Sequence, residues 1–348
     1  MAERSGEFSI IDRFFSSGSA AGPWFCKGIG DDCAIIDFGD SRIAVTIDML
    51  AMGTHFLPDA DPRNVGYKTL AVNLSDLAAA GATPRAFFLS IGLPDKNDAW
   101  IEAFSEGLME LAKEAGCALL GGDTVRTPKN PVTGEHSPAV FSITAMGDLP
   151  PGLGLTRAGA KPGDDIWVSG TLGDAYAALK YRWGHWAAAP EAVRLMSRRM
   201  DRPEPRNALG RALLPLATAA IDVSDGFSQD LTHILERSHV RARVSWDDVP
   251  RSEALMSLPE EEQREAALSG GDDYELIFTA PPSLRKAVFE AGIAADTLVT
   301  RVGEILPSDG DGTSLTVYDA KGNPVPDDVR VGESHEDTTP LYQHQTAG

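Results

Sequence analysis

The sequence predicts an α+β protein built of two domains. The chain has 348 residues, which is more than one ordinary hydrophobic core usually organises. Short apolar runs typical of buried strands alternate along it with longer segments of helical periodicity. The turn-forming segment Pro150-Pro-Gly-Leu-Gly154 is the clearest interruption of this pattern. We therefore expect one domain over residues 1–150 and a second over residues 151–348.

In the first half, a strand that ends in a carboxylate precedes a long helix. Residues 43–48 form an apolar run whose last residue is an aspartate, as expected of a buried strand. The segment 61–81 begins with Asp-Pro, a favourable helix start, and is apolar over most of its length. Within it Asn73 and Asp76 lie three residues apart and so share one face of the helix.

The remaining elements follow the same alternation. Strands are predicted at residues 87–93, 118–120, 139–146, 165–169, 220–225 and 274–279. Helices are predicted from Asn97 or Asp98 to Gly116, over 172–180, and from Pro205 to about Ala219. The stretch from about residue 303 is expected to form short strands and turns.

The composition restricts the possible ligands. Asp and Glu total 51 against 31 Lys and Arg, for a net charge of −20. Such a chain lacks the basic surface that nucleic acid requires, and it would need metal ions to hold a phosphate ligand. No apolar run approaches the ~18 residues of a membrane span. The three cysteines match no zinc spacing and the N-terminus shows no signal peptide, so we expect reduced thiols in the cytoplasm.

Six aspartate-bearing motifs stand where apolar runs end. A carboxylate is costly at such a position unless a cation meets it, and nearby Lys and Arg are too few for all of them. Hard oxygen ligands of this kind favour Mg²⁺. The sequence therefore predicts an enzyme that uses several Mg²⁺ ions to handle a polyphosphate. The motifs are Asp31-Asp32, Thr46-Ile47-Asp48, Asn73-Leu-Ser-Asp76, Gly121-Gly122-Asp123, Asp222-Val-Ser224-Asp225 and Gly271-Asp272-Asp273.

Each motif has a structural explanation as well. Gly-Gly-Asp is most often only a turn or a helix cap. Asp76 is harder to explain in this way, because it interrupts an apolar helix face. Arg157 is either a surface residue or a bidentate phosphate clamp, and a lone histidine such as His55 is more often structural. The chain has no P-loop and no complete dinucleotide fingerprint. It also has no Gly-x-Ser-x-Gly elbow, so nucleophilic hydrolysis has little support.

Taken in order, these motifs resemble those of the bacterial thiamine-monophosphate kinases, within the superfamily of aminoimidazole ribonucleotide synthetase and selenophosphate synthetase. The resemblance covers roughly residues 5–310, with long matching strings at 28–34, 71–79, 155–164 and 268–275. It implies two α/β domains with mixed or antiparallel sheets, helices packed on one face of each, and ATP in the cleft. It also implies a homodimer formed through the N-terminal sheets. The implied reaction is ATP-dependent phosphorylation of thiamine monophosphate to thiamine diphosphate.

The resemblance also implies roles for individual residues. A phosphate acceptor is already ionised near neutral pH, so no general base is expected, and a need for K⁺ stays open. The implied Mg²⁺ ligands are Asp32, Thr46, Ile47 through its carbonyl, Asp48, Asp76, Asp123, Asp222 and Asp225. The implied ATP contacts are Gly122, Asp123, Arg157 and Ser224, and the implied acceptor contacts are His55 and Asp272.

Two departures from the family pattern concern the acceptor site. Asp272 stands where the family usually has glutamate. The C-terminal aromatic residue that would stack on thiamine corresponds here to Ser334 or His335, with Trp246 and Tyr342 as other candidates. Two further functions stay open: a sibling ATP-dependent enzyme that acts on another acceptor, and a non-catalytic acidic protein that binds divalent cations.

Overall fold

The computed structural model describes residues 25–27, 29–94, 97–308 and 313–325. Within these residues the chain forms two six-stranded sheets. The first half contains β1 (Phe25–Lys27), β2 (Ala34–Asp37), β3 (Arg42–Ala51), α1 (Pro62–Ala79), β4 (Thr83–Leu93), α2 (Asp98–Glu114), β5 (Ala118–Arg126) and β6 (Val140–Leu149). The second half contains β7 (Asp165–Ser169), α3 (Asp174–Arg182), α4 (Pro190–Asp201), α5 (Asn207–Leu213), β8 (Ala219–Asp222), α6 (Phe227–Ser238), β9 (Arg241–Ser245), α7 (Glu253–Met256), α8 (Glu260–Arg264), β10 (Leu276–Ala280), α9 (Arg285–Ala294), β11 (Val299–Leu306) and β12 (Leu315–Tyr318).

The first sheet has one face covered by helices and one face exposed. Its strand order is β1-β2-β3-β6-β4-β5, and all pairs are antiparallel except β4 with β5. Side chains alternate along β3, so that Ala44 and Leu50 are buried while Ile47 and Met49 are 66% and 59% exposed. The sheet therefore presents an apolar outer face.

The second sheet has a strand order of β12-β9-β11-β7-β10-β8, with β12 and β9 as its parallel pair. Every residue of β7, β10 and the edge strand β8 is buried, so this half of the sheet is covered on both faces. Both sheets are mixed and carry helices, which confirms the predicted α+β class.

Helix α1 lies between the two halves. Most of its residues are buried, which fits a helix that is apolar on nearly all sides. The side-chain amide of Asn207 donates to the carbonyl of Leu74 at 2.7 Å, and Ser75 donates to Asp222 at 2.6 Å. Both bonds join α1 to the second half of the chain. The helix begins as predicted, with the side chain of Asp61 accepting from the backbone of Arg63.

Several predicted bounds are corrected. The helix expected from Pro205 to Ala219 is only Asn207–Leu213, because Pro215 cannot continue a helix and residues 214–216 form a turn before β8. The strand expected over 118–120 continues to Arg126, so Gly122 and Asp123 lie within a strand and not in a turn. Helix α4 was not predicted. The two sheets lie on either side of residue 150, but the predicted boundary itself stays a prediction. Among the described residues, no helix is long and apolar enough to cross a membrane.

A buried glutamate ties the second half together. Glu275 precedes β10, is 0% exposed and accepts hydrogen bonds from Arg199, Arg206 and Ser169. Burial opposes its ionisation, but the hydrogen bonds and charges of Arg206 and Arg199 hold the pKa of Glu275 below its usual value. This ion cluster links β7 and β10 to α4 and to the segment that leads into α5.

Replacing Glu275 by glutamine should destabilise the protein, because two largely buried guanidinium groups would lose their counter-charge. Breaking a buried ion pair from one side costs roughly 3–5 kcal/mol, so a clear fall in melting temperature is expected. Glu191→Gln is the matched control, since Glu191 forms an exposed pair with Arg194 and such pairs contribute little. Equal melting temperatures for the two variants would show that the buried cluster is dispensable.

Candidate functional site

A cavity of about 880 Å³ lies between the two halves. Its walls come from β3, the loop after β3 and α1 on one side, and from α3 and the segments that follow β8 and precede β10 on the other. Most of the predicted site residues line it: Asp32, Thr46, Ile47, Asp48, His55, Asp76, Arg157, Asp222, Ser224, Asp225 and Asp272.

Three carboxylates converge at one end of this cavity. Oxygen atoms of Asp32, Asp76 and Asp222 all lie within 4.8 Å of one another. They come from distant parts of the chain: the segment before β2, helix α1, and the last residue of β8. Because α1 is inserted between the halves, its Asp76 meets the end of a strand from the second sheet. The predicted interruption of the apolar helix face is thus explained.

The three carboxylates repel one another, which makes them a candidate cation site. Burial raises the pKa of Asp76 well above its usual range, and the charges of Asp48 and Asp222 raise it further. Burial and the charge of Asp32 raise the pKa of Asp222 to about 8. Hydroxyl donors hold the carboxylates in place, with Thr46 donating to Asp76 and Ser75 to Asp222. A divalent cation bound by these oxygen atoms would remove the repulsion, so the donor set fits Mg²⁺.

Arg157 is the cation that contacts the trio. Its Nε donates to Asp32 at 2.9 Å, and its backbone N–H donates to Asp31 at 2.8 Å. The guanidinium is therefore held over the acidic end of the cavity and is not an isolated surface group. One guanidinium cannot neutralise three carboxylates.

The second carboxylate motif is shaped by a residue that the sequence analysis missed. One oxygen of Asp230 accepts hydrogen bonds from the backbone N–H groups of Ser224, Asp225 and Gly226, at 3.0–3.1 Å. Asp230 lies in the first turn of α6 and is buried. It fixes the turn that follows β8 and so places Ser224 and Asp225 on the cavity wall. The sequence could have indicated Asp230, because this aspartate lies four residues after the motif Ser224-Asp225-Gly226.

The other end of the cavity is formed by His55 and by an ion pair between the two halves. His55 accepts a hydrogen bond at Nδ1 from the backbone of Ala51 at 3.0 Å, which leaves Nε2 as the protonated nitrogen of a neutral ring. Lys68 of α1 forms a salt bridge with Asp272 and lies 3.4 Å from the carbonyl oxygen of His55. Lys68 was also missed, although a lysine two turns before Asp76 on the same helix face was visible in the sequence.

Gly122 and Asp123 are separate from this cavity within one chain. Asp123 pairs with Ser90, which pairs with Ser142, which pairs with Met49. Three strand spacings place it about 14 Å from Met49. Directly paired residues lie on one face of a sheet, so Asp123 shares the exposed face with Met49, whereas Thr46 faces α1.

The stacking aromatic residue is not supplied by Trp246. This side chain is buried, packs against the guanidinium of Arg251 at 4.1 Å and does not line the cavity, so that candidate is wrong. Ser334, His335 and Tyr342 lie outside the described residues.

Comparisons with known proteins agree with this geometry. Residues 30–149 match the N-terminal domain of the AIR synthase related proteins, and residues 161–315 match their C-terminal domain. A thiamine-monophosphate kinase of Escherichia coli (strain K12) is 45% identical over 287 residues, covering 81% of this chain and 85% of that one.

Two solved structures are similar in fold as well as in sequence. The crystal structure of thiamine-monophosphate kinase from Stenotrophomonas maltophilia K279a is 42% identical, with a TM-score of 0.72, covering 89% of this chain and 96% of that one. A structure of AaThiL complexed with AMPPCP and TMP is 28% identical, with a TM-score of 0.74 and coverage of 92% and 94%.

Mg²⁺ should raise the melting temperature of the protein, because a ligand that binds the folded state stabilises it. Asp76→Asn should melt higher than the wild type in the absence of divalent cations, since one repelling charge is removed. The same variant should lose most of the shift that Mg²⁺ produces. Differential scanning fluorimetry with and without Mg²⁺ measures both effects.

The control is Asp40→Asn, which changes an exposed carboxylate outside the cavity. It should respond to Mg²⁺ as the wild type does. An Asp76→Asn protein that melts lower in chelator and keeps the full Mg²⁺ shift would contradict the cation site.

Proposed function

Because the chain belongs to the thiamine-monophosphate kinase family of AIR synthase related proteins, we propose that it phosphorylates thiamine monophosphate to thiamine diphosphate with ATP as donor. The observation that carries the proposal is the arrangement of the cavity. A buried cluster of three carboxylates stands at one end, and the predicted acceptor residues His55 and Asp272 stand at the other. A polyphosphate donor and a small acceptor would then meet between them.

Mg²⁺ would be held at the acidic end, where it would supply the positive charge that phosphoryl oxygen atoms require. The side chains of Asp32, Asp76 and Asp222 would provide the central ligands. Further ligands would be Thr46, Asp48 and Asp225 through side chains and Ile47 through its carbonyl, all of which line the cavity.

The protein's own groups would position the donor. Arg157 would bind ATP phosphate through the face of its guanidinium fork that is turned away from Asp32. The turn at Ser224, fixed by Asp230, would hold the nucleotide at the start of α6. The acceptor phosphate is ionised near neutral pH, so the reaction needs alignment and charge neutralisation and no general base.

The relatives bear on the two other functions considered. Identity of 45% to a thiamine-monophosphate kinase favours this acceptor over that of a sibling enzyme. A purely structural cation site would not require a cavity of this size beside it. The described cysteines Cys33 and Cys117 are free and buried, which supports a reducing compartment such as the cytoplasm.

A homodimer would complete the site. The exposed face of the first sheet carries Met49, Phe88 and Val125 at 41–59% exposure, and this much apolar surface suits an interface. Asp123 shares that face and cannot join the carboxylate trio of its own chain. In a dimer packed through these faces, Gly122 and Asp123 of one copy would approach the cavity of the other, as their predicted roles toward ATP and Mg²⁺ require.

The purified protein should release ADP and form thiamine diphosphate when ATP, Mg²⁺ and thiamine monophosphate are all present. Asp76→Asn should reduce kcat by roughly 10²-fold or more, as is usual when a preorganised electrostatic group is removed. A coupled ADP assay with product detection by chromatography measures both. ATP hydrolysis without thiamine diphosphate would refute the acceptor, and an unaffected Asp76→Asn enzyme would refute the metal role.

Phe88→Arg should convert the dimer to a monomer of 37.1 kDa and abolish activity, because it places a charge in the centre of the apolar face. Light scattering after gel filtration gives the mass. Ile293→Arg is the matched control, as it alters a residue of 80% exposure on α9 in the second half. A fully active Phe88→Arg monomer would show that Asp123 of a second copy is not needed.

A further inference from the structure

Lys68 is an unusual residue for the wall of this cavity. It lies in the middle of α1 and is 5% exposed, yet it lines the cavity. Lysine is seldom buried to this degree unless its ammonium group has an ionic partner. Here the partner is Asp272, whose position is 204 residues further along the chain. The pair therefore connects the two halves at the acceptor end.

The other cations on the cavity wall are engaged elsewhere. Arg157 lies on Asp32 at the acidic end. Lys180 and Arg182 of α3 have more exposed side chains and pair with Glu265 and Asp59, each at 2.8 Å. Among the described residues that line the cavity, Lys68 is thus the most deeply placed cation at the acceptor end.

Asp272 is held in place by its backbone. Its φ of 72° lies in the left-handed region, and its N–H donates to the carbonyl of Ser224 at 2.8 Å. Tyr274, also left-handed with a φ of 53°, forms a side-chain hydrogen bond with Asp272. The carboxylate is therefore preorganised, whereas the long side chain of Lys68 can change partner by rotation about its bonds.

The proposed acceptor carries charges of both signs. Thiamine monophosphate has a permanently positive thiazolium ring and an anionic phosphate. Resting on the proposed function, we infer that Lys68 binds the acceptor phosphate and that Asp272, released from Lys68, faces the cationic part of the same molecule. The pair neutralises itself while the cavity lacks an acceptor, and each member finds an opposite charge when the acceptor enters.

The geometry of α1 agrees with this assignment. Lys68 and Asp76 are eight residues apart on one helix face, which separates them by about 12 Å along the axis. This backbone separation is comparable to the sum of a metal–oxygen contact of about 2.1 Å, reacting atoms about 3–3.5 Å apart, a charge-assisted hydrogen bond of about 2.8 Å and the intervening phosphorus–oxygen bonds. A transferred phosphoryl group and the acceptor phosphate therefore have room between the two side chains.

Equilibrium binding of thiamine monophosphate and of thiamine, which lacks the phosphate, tests the inference. Both ligands are titrated calorimetrically into the full-length protein in Mg²⁺ without nucleotide. Lys68→Met should weaken binding of thiamine monophosphate by at least about tenfold, the effect of one charge-assisted contact. Its affinity for thiamine should stay the same or rise, because Asp272 is then free. Asp272→Asn should weaken both ligands by a similar factor.

Two further variants guard against misfolding. Lys113→Met changes an exposed lysine on α2 and should bind both ligands as the wild type does. The double variant Lys68→Met/Asp272→Asn leaves no unpaired charge, so it should fold even where Lys68→Met does not, and it should bind the two ligands with nearly equal affinity.

The outcomes separate the inference from the proposed function. Equal weakening of both ligands by Lys68→Met would make Lys68 structural and overturn the inference. If Lys68→Met changed only the Michaelis constant for ATP, the ammonium group of Lys68 would contact the nucleotide, and the inference would also be overturned. A wild-type protein that binds neither ligand and forms no thiamine diphosphate would overturn the proposed function and the inference together.

Discussion

The structure depends on the burial of carboxylates at the acidic end of the cavity, where the two halves of the chain meet. Asp76 and Asp222 are placed there by a helix and a strand that belong to different halves of the chain. Burial and, after it, repulsion between the carboxylates raise the pKa values of both groups, and both effects oppose the approach of the two halves. The apolar packing of α1 and the hydroxyl groups of Thr46 and Ser75 hold them there nonetheless. The halves are thus joined at the place where binding of a cation would stabilise the junction most.

Close backbone packing around α1 makes this arrangement possible. A Cβ atom on Gly66 would lie 1.9 Å from the carbonyl oxygen of Phe104, and one on Gly107 would lie 1.8 Å from that of Arg63. These reciprocal glycines bring α1 and α2 into contact. Near the C-terminal end of α1, Gly210 of α5 meets the carbonyl of Ala78 in the same way. Larger side chains at any of the three positions would push α1 away from one half and separate Asp76 from its partners.

Local patterns in the sequence indicated much of this site, and long-range pairing accounts for what they missed. Asp76 could be singled out because a charged group on an apolar helix face is visible within a few residues. Five of the six motifs line the cavity, as their resemblance to one family of sequences implied, whereas Gly122 and Asp123 do not. The strand that contains Gly122 was read as a turn, because glycine and aspartate favour turns locally and only pairing with β4 extends it.

Lys68 and Glu275 show why periodicity could not supply the rest. Each looks like an ordinary charged residue until its partner is known, and those partners lie far away in the sequence, as Asp272 does for Lys68. The position of Asp123 could not be explained for a different reason. Its position on the exposed face has no evident use within one chain, so neither a local pattern nor a single copy of the fold explains it.

Charge distribution explains how an acidic chain can serve a phosphate ligand. A net charge of −20 repels polyphosphates at long range, and the cavity itself is lined by clustered carboxylates. A nucleotide would therefore bind well only together with divalent cations, which reverse the local sign of the potential. At the acceptor end the balance is different, because Lys68 and Asp272 cancel one another inside the cavity. A ligand with a single kind of charge would leave one of the two unpaired, whereas a ligand with both charges satisfies the pair. The same ion pair that joins the halves of the chain would thereby select the acceptor.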